Sequence, residues 1–508
     1  MEQTNLINST FRKNVDSVQN TVATELQAEN EIAKILCTKA TSVIDNYEAL
    51  NGELKFNGTV CFTTTYVTPT GEIFALSGQE TFSGKLENEL INTNTAVMFN
   101  SNVIELKVSS TNDEVKPTGV VETEISLILT DCVNYYVASN EDIVTNSNFV
   151  NFSTLQNSGK VGFNYSENFE SKDNVERMLT TSANAKILDY TLGTDYFTVE
   201  GLLFVNFSYV VVKDEVQEYK QFTKCYRFKE ELEAENITKE GYLVLNSYVN
   251  NCEITTNLTT KDDMTTVEFT VPVNVNYAYF KPTTSEVVVD AYSLKNKLNL
   301  NVESFKVDGK NVVKCFDEKI DGQMTIDEDA PRIIKFVAFC GENVSVTNSF
   351  KENDNLVIEG VASVNVIYLE EDETERLNSI IVEIPFSVEN KFDEFNDGDE
   401  LSVCAMIKDV DVKCKKGKDI NLDLDLSFIV NAFNSLEEMA LTNVTVGEAL
   451  TPKEACLQIY FARKGNTLWD ISKGLVAKPE QILDQNPNIN LPLENDEKIV
   501  LFRGNEER

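Results

Sequence analysis

Three stretches of this chain repeat one pattern at long range, and that repetition limits the fold before anything else does. Leu54–Tyr66, Phe197–Tyr209 and Leu356–Tyr368 each carry a glycine (Gly58, Gly201 or Gly360) eight residues ahead of the tyrosine. A polar turn follows each, and then a second aromatic landmark, Phe82, Phe228 or Phe386, at 24, 27 and 26 residues beyond the glycine. Upstream, Lys34–Ala40 aligns without a gap with Arg177–Ala183 at an offset of 143, and Tyr47 falls on Tyr190 at the same offset. The third copy reads Arg332–Ala338, with a few inserted residues before its glycine. The glycines lie 143 and 159 residues apart. A unit of that length is a whole domain, whereas solenoid repeats run to roughly 20–50 residues.

The periodicity inside the units is that of strands. Val267, Phe269, Val271, Val273, Val275, Tyr277 and Tyr279 alternate with polar residues in the second copy. Leu422, Leu424, Leu426, Phe428 and Val430 do so in the third, and Val121, Thr123, Ile125, Leu127 and Leu129 in the first. Strict period two puts one face in a core and the other in water. Pro272, inside its run, marks an edge or a bulge. The expectation is a mainly β chain of three tandem all-β domains, sandwich or barrel-like, over residues 11–150, 155–300 and 310–450. The first thirty-odd residues are ambiguous, because Val15, Val18, Val22 and Leu26 fit helical spacing while the matching stretches of the other copies look like strand and loop.

The last fifty residues differ. Residues 457–508 carry seven basic and eight acidic side chains, a net −1, so the other 456 residues hold −37 of the total −38. Leu457–Phe461 reads as a strand, and Leu468, Ile471 and Leu475 as one face of a helix capped by Asn466 or Thr467. Pro479 opens a second helix, Asn486-Pro487-Asn488 breaks it, and Lys498–Phe502 closes as a strand. A small βααβ domain is expected over 456–504.

Composition excludes several functions. With 82 acidic and 44 basic residues, the charge argues against binding nucleic acid or anionic lipid. The chain has no histidine, which removes every His-dependent catalytic or zinc arrangement. Phosphate-binding glycine loops and nucleophile elbows are absent from the sequence, so no catalytic residues, cofactor or metal are assigned. Neither a secretory signal nor an apolar stretch of about 20 residues is found. The ten cysteines (Cys37, Cys61, Cys132, Cys225, Cys252, Cys315, Cys340, Cys404, Cys414 and Cys456) form no C-x-x-C pair. They are expected to act as small buried hydrophobes in a reducing cytoplasm.

Lys464–Ser472, Pro479–Leu483, Asn486-Pro487-Asn488 and the final strand together resemble a LysM module, with Gly465–Ile471 matching the family's central run. The three upstream units resemble the SPOCS repeat of endospore-forming Firmicutes, whose later landmark shows in Glu383-Ile384-Pro385-Phe386. Three such repeats followed by one LysM module resemble the family of SipL-like spore-coat morphogenetic proteins. That resemblance implies a non-enzymatic scaffold in the mother-cell cytoplasm, at the forespore surface or spore coat. Its LysM module would bind the morphogenetic ATPase of the coat basement layer. The alternative is a protein that binds GlcNAc-containing glycans of cell wall or cortex. In glycan-binding LysM modules the groove maps by motif onto Lys464, Gly465, Asn466, Thr467 and Leu468, with Asn486, Pro487, Asn488 and Ile489 opposite.

Trp469, the only tryptophan, has two readings: packing on the module core beside Leu468 and Ile471, or contact with a partner, with Lys473 one turn on as its companion. The acidic runs Glu370–Glu375 and Asp393–Glu400 read as solvated turns, since Phe395 occupies a position where a calcium loop needs an oxygen ligand. The basic cluster Lys413–Lys418 reads as an exposed turn. Gly58, Gly201 and Gly360 mark a bulge or a close strand approach, and Tyr66, Tyr209 and Tyr368 are core candidates.

Overall fold

The computed structural model describes residues 3–138, 140–213, 216–261, 264–371, 376–394, 396, 398–414, 417–451 and 457–503. Cys456, Phe395, Lys415, Lys416 and most of the Glu370–Glu375 run lie outside the described residues.

Each repeated segment is a three-stranded antiparallel meander. The first is built from Lys34–Leu50, Glu53–Val67 and Ile73–Glu87, the second from Val175–Leu192, Tyr196–Lys213 and Val216–Glu233, and the third from Ile333–Glu352, Asn355–Glu370 and Leu377–Lys391. The landmarks of the sequence pattern are cross-strand partners: Gly58 pairs with Phe82, Gly201 with Phe228 and Gly360 with Phe386. A Cβ on Gly58 or Gly360 would stand 2.6 Å from a carbon of the facing phenylalanine ring, and one on Gly201 would collide with Phe228 in the same way. On the other side of each glycine the ladder slips by one residue, between Ile44 and Asn46, Glu200 and Gly201, and Val346 and Asn348. The glycine is therefore fixed by a ring lying over it at a bulge. Tyr66, Tyr209 and Tyr368 are buried.

The register also corrects the alignment of the third copy. Ala338 faces Ile367 where Cys37 faces Thr65, so Ala338 matches Cys37 and not Ala40. The surplus before the third glycine lies in a bulge at Gly341 and Glu342, where Gly341 has φ +62°.

A second layer covers each meander. Gln3–Ala23 with Glu114–Val137 and Ala96–Ser110 covers the first, Ile143–Ser171 with Met264–Ser293 and its short partners Tyr242–Val249 and Thr255–Lys261 the second, and Asn296–Thr325 with Asp419–Ala449 and Glu400–Cys414 the third. The cores lie between the layers, around Phe56, Phe62, Leu127 and Phe99 in the first unit, Phe197, Phe207, Phe269 and Val271 in the second, and Leu356, Val364, Leu424 and Phe428 in the third. This is sheet-on-sheet packing, with the period-two apolar faces turned inward. Pro272 sits where the neighbouring strand changes, past Val249–Val273 and before Thr255–Thr270, so its missing N–H removes no ladder bond on that side.

The ambiguous N-terminal segment is a strand. Its ladder shifts between Val15 and Val18, so both face the first core along with Phe11 and Val22. A bulge in a period-two strand puts apolar residues three and four apart, which imitates a helix.

The second layers run beyond the sandwiches as paired ribbons, and their apolar faces meet through Ile7, Val133, Val150, Phe152, Val287, Phe305 and Ala440. Ile143–Ser171 and Asn296–Thr325 are continuous through positions 150–155 and 300–310, so the chain passes from unit to unit at the ribbon tips, near Asn140 and Ser293.

At the other end of the body the three meanders meet. Leu36, Cys37 and Ile73 pack with Leu179, Val210 and Tyr219 and with Ala338, Cys340 and Ile367. Leu36 and Leu179 occupy the same ladder bulge in their own units. Beside this cluster Lys39 Nζ lies 2.9 Å from Glu342 Oε1 and donates to Ser182 Oγ at 2.8 Å, while Asn206 Nδ2 donates to Glu342 Oε2 at 3.1 Å. Gln221 Nε2 bonds Asn206 Oδ1 and the Phe339 carbonyl, and its own Oε1 accepts from the Phe339 N–H. A cavity of about 1450 Å³ opens between the units, lined by many amide and hydroxyl side chains such as Asn100, Asn246, Asn343 and Ser42.

Cysteines here do more than fill space. Disulfides join Cys37 to Cys340 and Cys61 to Cys252, tying the first unit to the third and to the second. Their Cα separations of 6.5 and 5.9 Å are within bridging reach. Cys132, Cys315 and Cys404 are exposed, contrary to the expectation of buried hydrophobes.

Candidate functional site

The C-terminal module is a strand Leu457–Ala462, a helix α1 (Leu468–Leu475), a helix α2 (Pro479–Gln485) and a strand Glu497–Phe502 that pairs antiparallel with the first. Its core is small: Ala462, Ile471, Leu475, Ala477, Ile482, Leu493, Ile499 and Leu501. Thr467 is the N-cap of α1. Its hydroxyl accepts the Asp470 N–H at 3.2 Å, and Asp470 Oδ2 accepts the Thr467 N–H at 2.8 Å. Asn466 does not cap. Its side-chain Oδ1 accepts the Arg463 N–H at 2.7 Å and shapes the turn, in which Gly465 has φ +88°.

The first loop of the expected groove is tied to Leu493, and one residue from each loop reaches the module core. Gly465 N–H bonds the Leu493 carbonyl at 2.8 Å and Leu493 N–H returns to Asn466 at 3.0 Å, while Leu468 and Ile489 pack partly buried on the shared core. Lys464, Gly465, Thr467, Pro487 and Asn488 are exposed. Asn486 is committed to structure, since its amide nitrogen donates to the Ile482 and Val500 carbonyls and its oxygen accepts the Val500 N–H.

Trp469 and Lys473 point elsewhere. The indole Nε1–H donates to Asp290 Oδ2 at 2.9 Å, and Lys473 Nζ lies 2.8 and 2.6 Å from the two Asp290 oxygens. The Trp469 ring is tilted against Tyr292 with centroids 5.1 Å apart, and the Tyr292 hydroxyl donates to the Ala477 carbonyl at 2.5 Å. Asp290 and Tyr292 stand two apart on the ribbon strand Met264–Ser293 and so share a face. Burial works to raise the Asp290 pKa, but the bonds from Lys473 and Trp469 with the Lys473 charge outweigh it and hold the carboxyl below its usual range. Tyr292 is pushed up to about 12 by burial.

A third surface went unanticipated. Leu457, Ile459, Phe461, Val500 and Phe502 all lie on the outer face of the two-stranded sheet, with Phe461 70% and Phe502 59% exposed. The alternation that reads as a strand is visible in the sequence. Its apolar face turns outward because the helices cover the opposite face, where Ala462, Ile499 and Leu501 are buried. Asp290 and Tyr292 carry no local signal, since they meet Trp469 across 179 residues of chain.

The family model described as SipL, SPOCS domain matches residues 333–415. That SPOCS segment is the third meander followed by the strand Glu400–Cys414 of its covering layer. It contains the Gly360–Phe386 pair that the first two meanders repeat as Gly58–Phe82 and Gly201–Phe228. No curated protein and no solved structure matches the chain. None of the helices among the described residues is long and apolar enough to cross a membrane.

Proposed function

We propose that the chain is a non-enzymatic, SipL-like scaffold of spore-coat morphogenesis: three SPOCS-type β units carry a C-terminal LysM-type module, and the module grips the ATPase of the coat basement layer from the mother-cell side. The SPOCS match over 333–415 supports a sporulation role. The observation that favours a protein partner over a glycan is the apolar outer face of the module. Five large apolar side chains lie together there on a module of low net charge. A grouped apolar face of this kind marks contact with protein, and each side chain fully covered contributes about 1.5–3 kcal/mol. Asn466 and Asn486, which a sugar would otherwise engage, already bond the module's own backbone.

The test is Ile459→Asp with Phe461→Asp in the full chain. Both side chains are exposed, so the fold is expected to survive, checked by an unchanged circular dichroism spectrum. Affinity for the ATPase should fall at least a hundredfold and recruitment to the forespore should be lost. Wild-type recruitment by this variant would overturn the proposal, as would calorimetric binding of GlcNAc oligosaccharides by a chain that ignores the ATPase.

A further inference from the structure

The module's Trp469–Lys473 face already has an occupant, and the occupant's chemistry describes what else can bind there. Trp469 and Lys473 sit one helical turn apart on α1 and present two donors, an indole N–H and an ammonium, in the same direction. A single carboxylate satisfies both, which is what Asp290 does with its two oxygens. Tyr292 supplies an aromatic face for the indole and a hydroxyl for the Ala477 carbonyl at the turn after α1. Charge assistance and the aromatic contact make this a specific contact. It is also a small one: the Lys473 and Asp290 side chains remain 42% and 28% exposed. Opening it uncovers the Tyr292 ring, which is otherwise buried, but none of the module's own core residues.

We infer that Asp290 and Tyr292 form a built-in receptor that holds the module against the second unit, and that the protein partner taking the Trp469–Lys473 face does so with the same chemistry, a carboxylate beside an aromatic ring, in competition with this clasp. The inference rests on the module being a protein-binding element, and it adds which face is regulated and what the partner must display. A partner whose site requires the open form binds with an apparent affinity reduced by the fraction of chains that are open, so releasing the clasp strengthens binding. Residues 155–300 carry 14 basic and 21 acidic side chains, a net −7 against the module's −1, and Lys473 is the cation that meets that charge at Asp290.

Trp469 is the sole tryptophan, so its fluorescence in the full chain reports the clasp with no added label. Asp290→Lys places two ammonium groups together and should free the indole, seen as red-shifted emission and stronger acrylamide quenching. Tyr292→Phe, which removes only the bond to Ala477, should give a smaller change in the same direction. Titrated with the coat ATPase, Asp290→Lys should bind about fivefold tighter than wild type, and Trp469→Ala should bind more weakly than either. Unchanged emission and quenching in Asp290→Lys would overturn the clasp. A freed tryptophan with unchanged ATPase affinity would overturn the competition and the partner chemistry with it. Should no form of the chain bind the ATPase, the proposed function fails and the competition falls with it, whereas the fluorescence arm still decides whether the clasp exists.

Discussion

Two of the places where separate parts of this chain hold one another use the same side-chain chemistry to opposite ends. Where the three meanders meet, Lys39 and Glu342 pair at 2.9 Å with side chains 15% and 3% exposed, and every remaining polar partner nearby belongs to another unit. Where the C-terminal module meets the second unit, Lys473 and Asp290 pair at a similar distance but stand well into solvent. The first contact is wrapped in Leu36, Leu179, Tyr219 and Ala338 and crossed by a disulfide, while the second has one aromatic contact and, among the described residues, no apolar cluster that spans module and body. Burial decides what a charge pair does. A deep pair fixes the arrangement because breaking it strands a charge, and a shallow one costs little to open.

The comparison is broken most severely at Glu342. Glu342→Ala leaves the Asn206 amide nitrogen without this acceptor and the Lys39 ammonium with Ser182 Oγ but no counter-charge in a largely buried site, and should destabilise the body by about 3–5 kcal/mol. The measurement is the urea midpoint against wild type. A loss below about 1 kcal/mol would mean that the hub behaves like the exposed contact.

The next effect lies inside a unit. Gly201→Ala pushes a methyl group into the Phe228 ring and the Lys186 carbonyl, neither of which can retreat, because Phe228 is core and the carbonyl is ladder. Overpacking of this kind costs about 1–3 kcal/mol. Gly360→Ala should match it, since Phe386 and the Ser345 carbonyl stand in the same relation. Equal midpoint shifts for the two variants would show that the pattern imposes one constraint in both units, and a silent Gly360→Ala would separate them.

That glycine constraint was readable in the sequence because both partners belong to one hairpin, so their spacing survives as a recurring interval. Strand content was readable for the same reason, except where a bulge between Val15 and Val18 gave an extended strand the spacing of a helix. Contacts between units left no such trace. Glu342 reaches the hub through an irregular bulge, and Cys37 meets Cys340 across 303 residues. At the module, the sequence left Trp469 between packing on the core and meeting a partner, with Lys473 as its companion. That their acceptor would be Asp290 could not be read, since an aspartate on a ribbon strand looks like any other solvent-facing carboxylate in a chain with 82 acidic residues.

The smallest expected effect is the pH response of the clasp, and it sharpens the contrast between buried and exposed pairs. Asp290 is held below its ordinary value of 3.8. A carboxyl whose folded pKa is depressed gives its stabilisation in full above the unfolded pKa and loses it as pH falls through the folded one. Trp469 quenching should therefore stay level from neutral pH down to about 4 and rise only below that, with a contribution of about 0.5–1 kcal/mol once solvent screening is allowed for. The chain's isoelectric point of about 4.4 falls just above this window, so general protonation of the acidic body overlaps it. The decisive quantity is the difference between wild type and Asp290→Asn at each pH, because both share that background and only one carries the titrating group. Asp290→Asn should show no step of its own. A step of equal size in both proteins would assign the transition to the body and leave the clasp without a proton switch.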